Sequence, residues 1–296
     1  MPGPNPPDGW RLWVAGARPR TLPAAVVPVV VGTAAAVGVG PIIWWRAVAA
    51  LIVSLALQVA TNYVNDYADG ERGTDTERVG PLRLVGSGLV AARRVKLAAA
   101  AAFGVAGLAG AALAWAVGPE LLVVGAVSML AGWAYTGGPK PYGYLGMGEL
   151  FVFVFFGLVA TVGSAYVQLE RITGLAVLAA IPVGLLVVDL LVINNLRDIP
   201  GDTVSGKRTL AVRIGDAATR RLYVGLIVGA GLGVVACAVA RPPALIGLIG
   251  LASAVGPVRT VRSGATGAAL IPALGATGRI QLLTGALLAV GLALGG

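Results

Sequence analysis

The chain has 296 residues, of which 57% are hydrophobic and only 12% charged, with a formal net charge of +9. A soluble domain carries about 25% charged residues, so this composition belongs in lipid and argues against a soluble enzyme. There is no histidine and one cysteine, Cys237; this excludes His-based triads, His metal sites, intrachain disulfides and multi-Cys metal centres. Any bound metal is therefore held by oxygen, which points to Mg²⁺ or another hard ion.

Residues 1–10 are Pro-rich, lack the basic and apolar regions of a signal peptide, and read as a flexible tail. Residues 11–296 read as one membrane domain, because no linker is long enough to divide them. Nine apolar stretches of spanning length recur in it, at 21–40, 42–65, 96–117, 120–137, 149–168, 174–196, 220–240, 242–258 and 278–295. The fourth is short, and the eighth is weak enough to be partly re-entrant. The 44 glycines suit close helix approach, since lipid supplies no hydrophobic push between spans. The expected fold class is all-α and polytopic.

Orientation follows from the basic residues. All but three of the 22 Lys and Arg residues fall in loops on one side of this nine-span pattern; the exceptions are Arg46, Arg171 and Arg241. That asymmetry puts the N-terminus and the loops after the second and sixth spans in the cytoplasm, and the C-terminus outside. It also assigns the positive charge to topology rather than to nucleic acid. Trp10, Trp13, Trp44 and Trp45 sit where interfacial anchors belong.

The second span ends in a polar cluster, Asn62-x-x-Asn65-Asp66-x-x-Asp69, followed by Asp75. Positions 58, 62, 65 and 69 recur at helical spacing, so Gln58, Asn62, Asn65 and Asp69 share one face, with Asp66 at its border. The sixth span ends similarly, in Asn194, Asn195, Arg197, Asp198 and Asp202. Pro200 and Gly201 put the helix in doubt there, so Asp202 is expected on a turn just past its end. Carboxylates gathered this way repel unless cations neutralise them. Mg²⁺ prefers one or two carboxylates with water and phosphate oxygens. Two such clusters across a cavity suit two Mg²⁺ ions bridged by a diphosphate, with the nearby Arg72, Arg78, Arg83, Arg197, Lys207 and Arg208 placed to meet the remaining phosphate charge. The candidate metal ligands are Asp66, Asp69, Asp75, Asp198 and Asp202. An ion-coupled transporter is the competing class, supported by Asp189 in mid-span. Both clusters lie at span ends, however, whereas a transporter site is expected near the midplane.

At these residues the chain resembles the UbiA superfamily of intramembrane prenyltransferases. The first cluster is similar to that family's N-x-x-N-D-x-x-D motif and the second to its D-x-x-x-D motif. Further likeness lies in Ala17-Arg18-Pro19-Arg20-Thr21-Leu22-Pro23, in Tyr135-Thr136-Gly137-Gly138-Pro139 with Tyr144 and Glu149, and in Gly206-Lys207-Arg208-Thr209-Leu210. These stretches are most like the members that prenylate 1,4-dihydroxy-2-naphthoate. The resemblance implies nine helices around a central cavity open sideways to lipid, in a cell membrane. It implies Mg²⁺ as cofactor, and a polyprenyl diphosphate and an aromatic acid as substrates. Asp66, Asp69, Asp198 and Asp202 would be catalytic. Asn62, Asn65, Asn194, Asn195, Arg72, Arg197, Lys207, Tyr135 and Glu149 would bind substrate. Relatives that use 4-hydroxybenzoate or homogentisate are the alternative.

Overall fold

Apolar runs of this length satisfy their backbone polar groups within lipid only as helices or closed barrels, and the runs here carry no period-2 alternation. The computed structural model describes residues 8–73 and 82–296, and no strand occurs among them. The first seven residues of the expected tail, Asp75 and Arg78 lie outside the described residues.

The helices, in order, are α1 (Gly9–Ala17), α2 (Pro23–Ala36), α3 (Trp44–Arg72), α4 (Ala92–Val117), α5 (Glu120–Ala134), α6 (Gly148–Val152), α7 (Ala160–Leu169), α8 (Gly174–Val204), α9 (Leu210–Ile214), α10 (Asp216–Ala240), α11 (Gly247–Ala252), α12 (Val255–Arg262) and α13 (Ile271–Leu294). A π-helical segment, Phe153–Val159, joins α6 to α7. Among the described residues, six helices are long and apolar enough to cross a membrane: α3, α4, 148–169, α8, α10 and 267–294. Two bent pairs raise this to at most eight: Gly9–Thr21 with Pro23–Ala36, at 54°, and Pro242–Ala252 with Val255–Arg262, at 47°. The expected fourth span appears as α5, an apolar helix of 15 residues. The weak eighth is the second bent pair. The first bend has a local cause: Arg18 adopts φ 55° at the end of α1, and Pro19 and Pro23 each open a new helical turn.

α8 is the central element. Two-thirds of its most apolar window (67%) is buried against other helices, compared with 22% in α4. It packs on α10, α2, α13 and the π-helical segment. Close approach is enforced by paired glycines: a Cβ on Gly157 would fall 2.6 Å from the Cα of Gly184. The π-helical segment faces α8 at this contact, a geometry common at functional sites. Thr173 caps α8 by accepting from the Ala176 N–H at 3.2 Å. The helix then runs through Pro182 and Pro200 to Val204, which corrects the expectation that Asp202 lies past its end. Asn194, Asp198 and Asp202 therefore keep four-residue spacing on one helix.

Two of the three basic residues set apart by the topology reading tie helix ends together. Arg241 donates to the carbonyls of Ala34, Val37 and Leu292, at 3.3, 2.5 and 2.6 Å. Arg46 donates to Val167 and Ala116 and pairs with Glu170 at 2.9 Å. Helix C-termini present unpaired carbonyls that attract cations, and these two arginines close four such ends: α2 and α13, and α4 and α7.

Candidate active site

A cavity of about 1950 Å³ lies between α2, α3, α5, the 148–169 helix, α8 and α13. Most of its wall is apolar, with Val29, Val53, Leu57, Leu121, Phe155 and Val159. One end is polar. Asp69 reaches it from α3, and Asp198 and Asp202 reach it from α8. Arg18, Arg20, Arg83, Arg197, Lys207 and Arg279 also line the cavity, six cations to three carboxylates, with Arg83, Lys207 and Arg197 directly beside the carboxylates, a charge balance that suits a polyanion.

The shared face expected on α3 forms: Gln58, Asn62, Asn65 and Asp69 all line the cavity. Asn62 is fixed by donating to the Ala17 carbonyl at 2.9 Å and to Thr21 Oγ1 at 3.1 Å. Gln58 donates to the same Thr21 oxygen and to Asn62 Oδ1, both at 3.3 Å. Asn65 Oδ1 accepts from the Thr136 hydroxyl. Asp69 is buried among partners. Arg83 Nη2 and Lys207 Nζ each lie 3.2 Å from one of its oxygens, and the Tyr144 hydroxyl donates to it. Lys207 also stands 4.8 Å over the Tyr144 ring.

Asp66 is placed otherwise. It is fully buried and absent from the cavity wall. Its two oxygens accept the backbone N–H groups of Leu84 at 2.8 Å and Val85 at 2.9 Å. It secures the segment that delivers Arg83 to Asp69. Arg72 also faces away from the cavity, donating to the carbonyls of Thr136 and Gly138.

On α8, Arg197 folds back onto its neighbours. Its Nε and Nη2 each lie 2.7 Å from an Asp198 oxygen, and Nη2 donates to Asn194 Oδ1 at 2.9 Å. Asp202 accepts from Thr209 Oγ1 at 3.4 Å. Asn195 lines the cavity and donates to the buried Glu149 Oε1 at 2.9 Å. Tyr135 also lines it, with Tyr142 edge-on at 5.5 Å and Phe151 stacked on Tyr142 at 4.1 Å. Burial holds the Tyr142 phenol well above its ordinary value, so it stays protonated and donates to the Ala131 carbonyl at 2.8 Å.

The donors at the polar end are carboxylate, amide and hydroxyl oxygens, which fit Mg²⁺. No three carboxylates among the described residues converge into a ready cage. Arg18, Arg20 and Arg279 are cavity residues that were not expected from the sequence, because topology alone accounts for their charge. The one available signal was the position of Arg18 and Arg20 within the Ala17–Pro23 stretch.

The sequence profile of the UbiA prenyltransferase family matches residues 25–269. A 1,4-dihydroxy-2-naphthoate octaprenyltransferase of Mycobacterium tuberculosis is 49% identical over 283 residues, covering 96% of this chain and 97% of the relative. Its namesake in Escherichia coli is 37% identical over 233 residues, covering 74% and 73%. Among solved structures, a UbiA homolog from Aeropyrum pernix K1 superposes with a TM-score of 0.71 at 16% identity, over 92% of this chain and 96% of that one. A UbiA homolog from Archaeoglobus fulgidus bound to DMAPP and Mg²⁺ gives 0.64 at 16% identity, over 95% and 98%. At that identity the two structures establish the likeness of fold.

Proposed function

The chain belongs to the UbiA prenyltransferase family, and from that premise we propose that it transfers a polyprenyl group from its diphosphate to 1,4-dihydroxy-2-naphthoate, releasing diphosphate and CO₂ and giving demethylmenaquinol. The observation that carries this reading is a single cavity with a cation-rich, carboxylate-bearing end and an apolar remainder. A prenyl diphosphate has the same division of charge. The names of the relatives in Mycobacterium tuberculosis and Escherichia coli support the aromatic acceptor.

In this reading Asp69, Asp198 and Asp202 would hold Mg²⁺ against the diphosphate. Bound Mg²⁺ supplies a Lewis acid that draws off the charge developing on the leaving group. Arg83, Lys207 and Arg197 sit beside those carboxylates and supply fixed positive charge to the same oxygens. The allylic C–O bond breaks with its electron pair going to diphosphate. The ring carbon bearing the carboxylate attacks the allylic carbon, and CO₂ leaves. The apolar wall keeps water from the allylic cation.

The same reading takes the protein as a multi-pass cell-membrane enzyme. It has nine spans counting α5 and the two bent pairs, a cavity open to lipid, a cytoplasmic polar end and an external C-terminus. Its support is the uneven distribution of basic residues, with Arg46 and Arg241 at helix ends remote from the cavity's polar end. The test is mass spectrometry of the product that the purified protein makes from 1,4-dihydroxy-2-naphthoate and octaprenyl diphosphate, with and without Mg²⁺. A prenylated, decarboxylated product formed only with the metal is expected. No product with this acceptor, but turnover of 4-hydroxybenzoate, would overturn the choice of acceptor.

A further inference from the structure

Behind the cavity wall, where α6 meets α8, Glu149 is 7% exposed and Asn195 8% exposed. Gly148, next to Glu149, packs against Tyr135: a Cβ on it would stand 3.3 Å from the Tyr135 hydroxyl. The Asn195 amide lines the cavity, and its Nδ2 donates to Glu149 Oε1 at 2.9 Å. Glu149 Oε1 meets the amide as an acceptor, so it selects the NH₂ end. One of the two NH₂ hydrogens is engaged there, which turns the NH₂ end of the amide toward α6 and its carbonyl end away from Glu149. Asn195 Oδ1 has no donor among the described residues. The second oxygen of Glu149, Oε2, is buried without a hydrogen-bond partner among those residues. A buried carboxylate left half-satisfied costs stability, which calls for a role that α6–α8 packing alone does not supply.

We propose that Glu149 is a positioning residue for the aromatic acceptor: it locks the Asn195 amide with its carbonyl toward the cavity, where that oxygen accepts the acceptor's phenolic O–H. This inference rests on the prenyl transfer proposed above. Ring attack puts positive charge on the phenolic oxygen, and a fixed acceptor on its proton stabilises that charge. The electron pair of the ring–carboxylate bond returns to the ring as CO₂ departs, so the phenolic proton stays with its oxygen throughout. The stacked Tyr142 and Phe151, with Tyr135, supply flat apolar surface on the wall of the same cavity.

The experiment compares wild type, E149Q, the double variant E149Q/N195D, and N195S. KM is measured separately for 1,4-dihydroxy-2-naphthoate and for the prenyl diphosphate, with the unfolding temperature alongside. A glutamine at position 149 offers both donor and acceptor and no longer dictates the amide. E149Q is therefore expected to raise the acceptor KM about 10-fold while leaving the donor KM within about twofold. In the double variant the NH₂ of the introduced glutamine donates to the introduced aspartate, whose other oxygen again faces the cavity as an acceptor. Recovery to within about threefold of wild type is expected. N195S is expected to raise the same KM, which keeps the inference testable if E149Q unfolds. An acceptor KM unchanged in E149Q and N195S, an equal rise in both KM values, or a double variant no better than the single one would each overturn it. A wild type inactive toward dihydroxynaphthoate would overturn the proposed function instead.

Discussion

Lys207 Nζ lies 3.2 Å from Asp69 Oδ1, an ion pair that joins the segment after α8 to the end of α3. Together with Arg83 on the other carboxylate oxygen, it offsets the charge of Asp69. Both cations stand beside one of the three carboxylates proposed to hold the metal, and so beside the proposed place of the diphosphate. Lys207→Met is expected to lower kcat/KM for the prenyl diphosphate by about 100-fold, in the range of losing one transition-state donor. The KM for the aromatic acceptor is expected to stay at the wild-type value. Steady-state kinetics with each substrate varied in turn checks this, and a loss confined to the acceptor would contradict it.

Asp66 and Asp198 stand in similar motifs but do different work. Asp66 spends both oxygens on the Leu84 and Val85 amides. Replacing it with alanine strands two buried N–H groups and releases the segment that carries Arg83. Asp66→Ala is expected to cost about 3 kcal/mol of stability, the scale for losing charge-assisted bonds and leaving their donors unpaired. Asp198 lies at the cavity wall, paired with Arg197. Asp198→Ala is expected to abolish turnover with a much smaller fall in unfolding temperature. Thermal unfolding in detergent separates the two, and equal melting of both variants would sink the distinction.

The α3 face was legible because helical spacing and lipid composition fix it: Gln58, Asn62, Asn65 and Asp69 reach the cavity together. Asp66 was not, because the competing ligand for its carboxylate is a backbone segment 18 residues onward, and periodicity carries no information on such a contact. Asp202 was misplaced for a local reason. Pro200 removes one helical N–H, yet the turn continues to Val204, ending where the Ser205 N–H donates to the Gly201 carbonyl. Arg18, Arg20 and Arg279 were hidden by a rule that explains all basic residues alike. Of the nine expected spans, α5 falls short in length, the first bent pair breaks at αL Arg18 and the prolines beside it, and the second bends by 47° at Ser253 and Ala254.

The Gly157–Gly184 crossing sets how near the π-helical segment comes to α8. A methyl group on Gly157 would meet backbone, the Gly184 Cα at 2.6 Å, and not the end of a flexible side chain. Neither partner can yield without moving a helix. Gly157→Ala is expected to destabilise the protein by about 1–3 kcal/mol, the usual cost of overpacking a close contact. A drop in unfolding temperature relative to Gly104→Ala, whose added Cβ meets nothing within 4 Å, checks this. Equal temperatures for the two variants would show that the crossing is looser than this geometry.

Gly125 and Gly163 line the apolar part of the cavity, and an added Cβ at either meets nothing within 4 Å. Side chains there would grow into the space proposed for the isoprenoid rather than into protein. Leucine at either position shortens that space without touching the polar end, so the distal isoprene units lose their place while the diphosphate keeps its own. Gly125→Leu and Gly163→Leu are each expected to cut kcat/KM for octaprenyl diphosphate by about 10-fold or more, the discrimination a tight apolar pocket gives per displaced group. Geranyl diphosphate turnover is expected to stay near wild type. Gly104→Leu serves as control, since Gly104 is exposed, off the cavity wall and equally unhindered. Competition between the two donors in one reaction, read by mass spectrometry, measures the ratio directly. If long and short donors fall together, the substitutions disturb the helix packing and not the tail, and the isoprenoid does not run past these glycines.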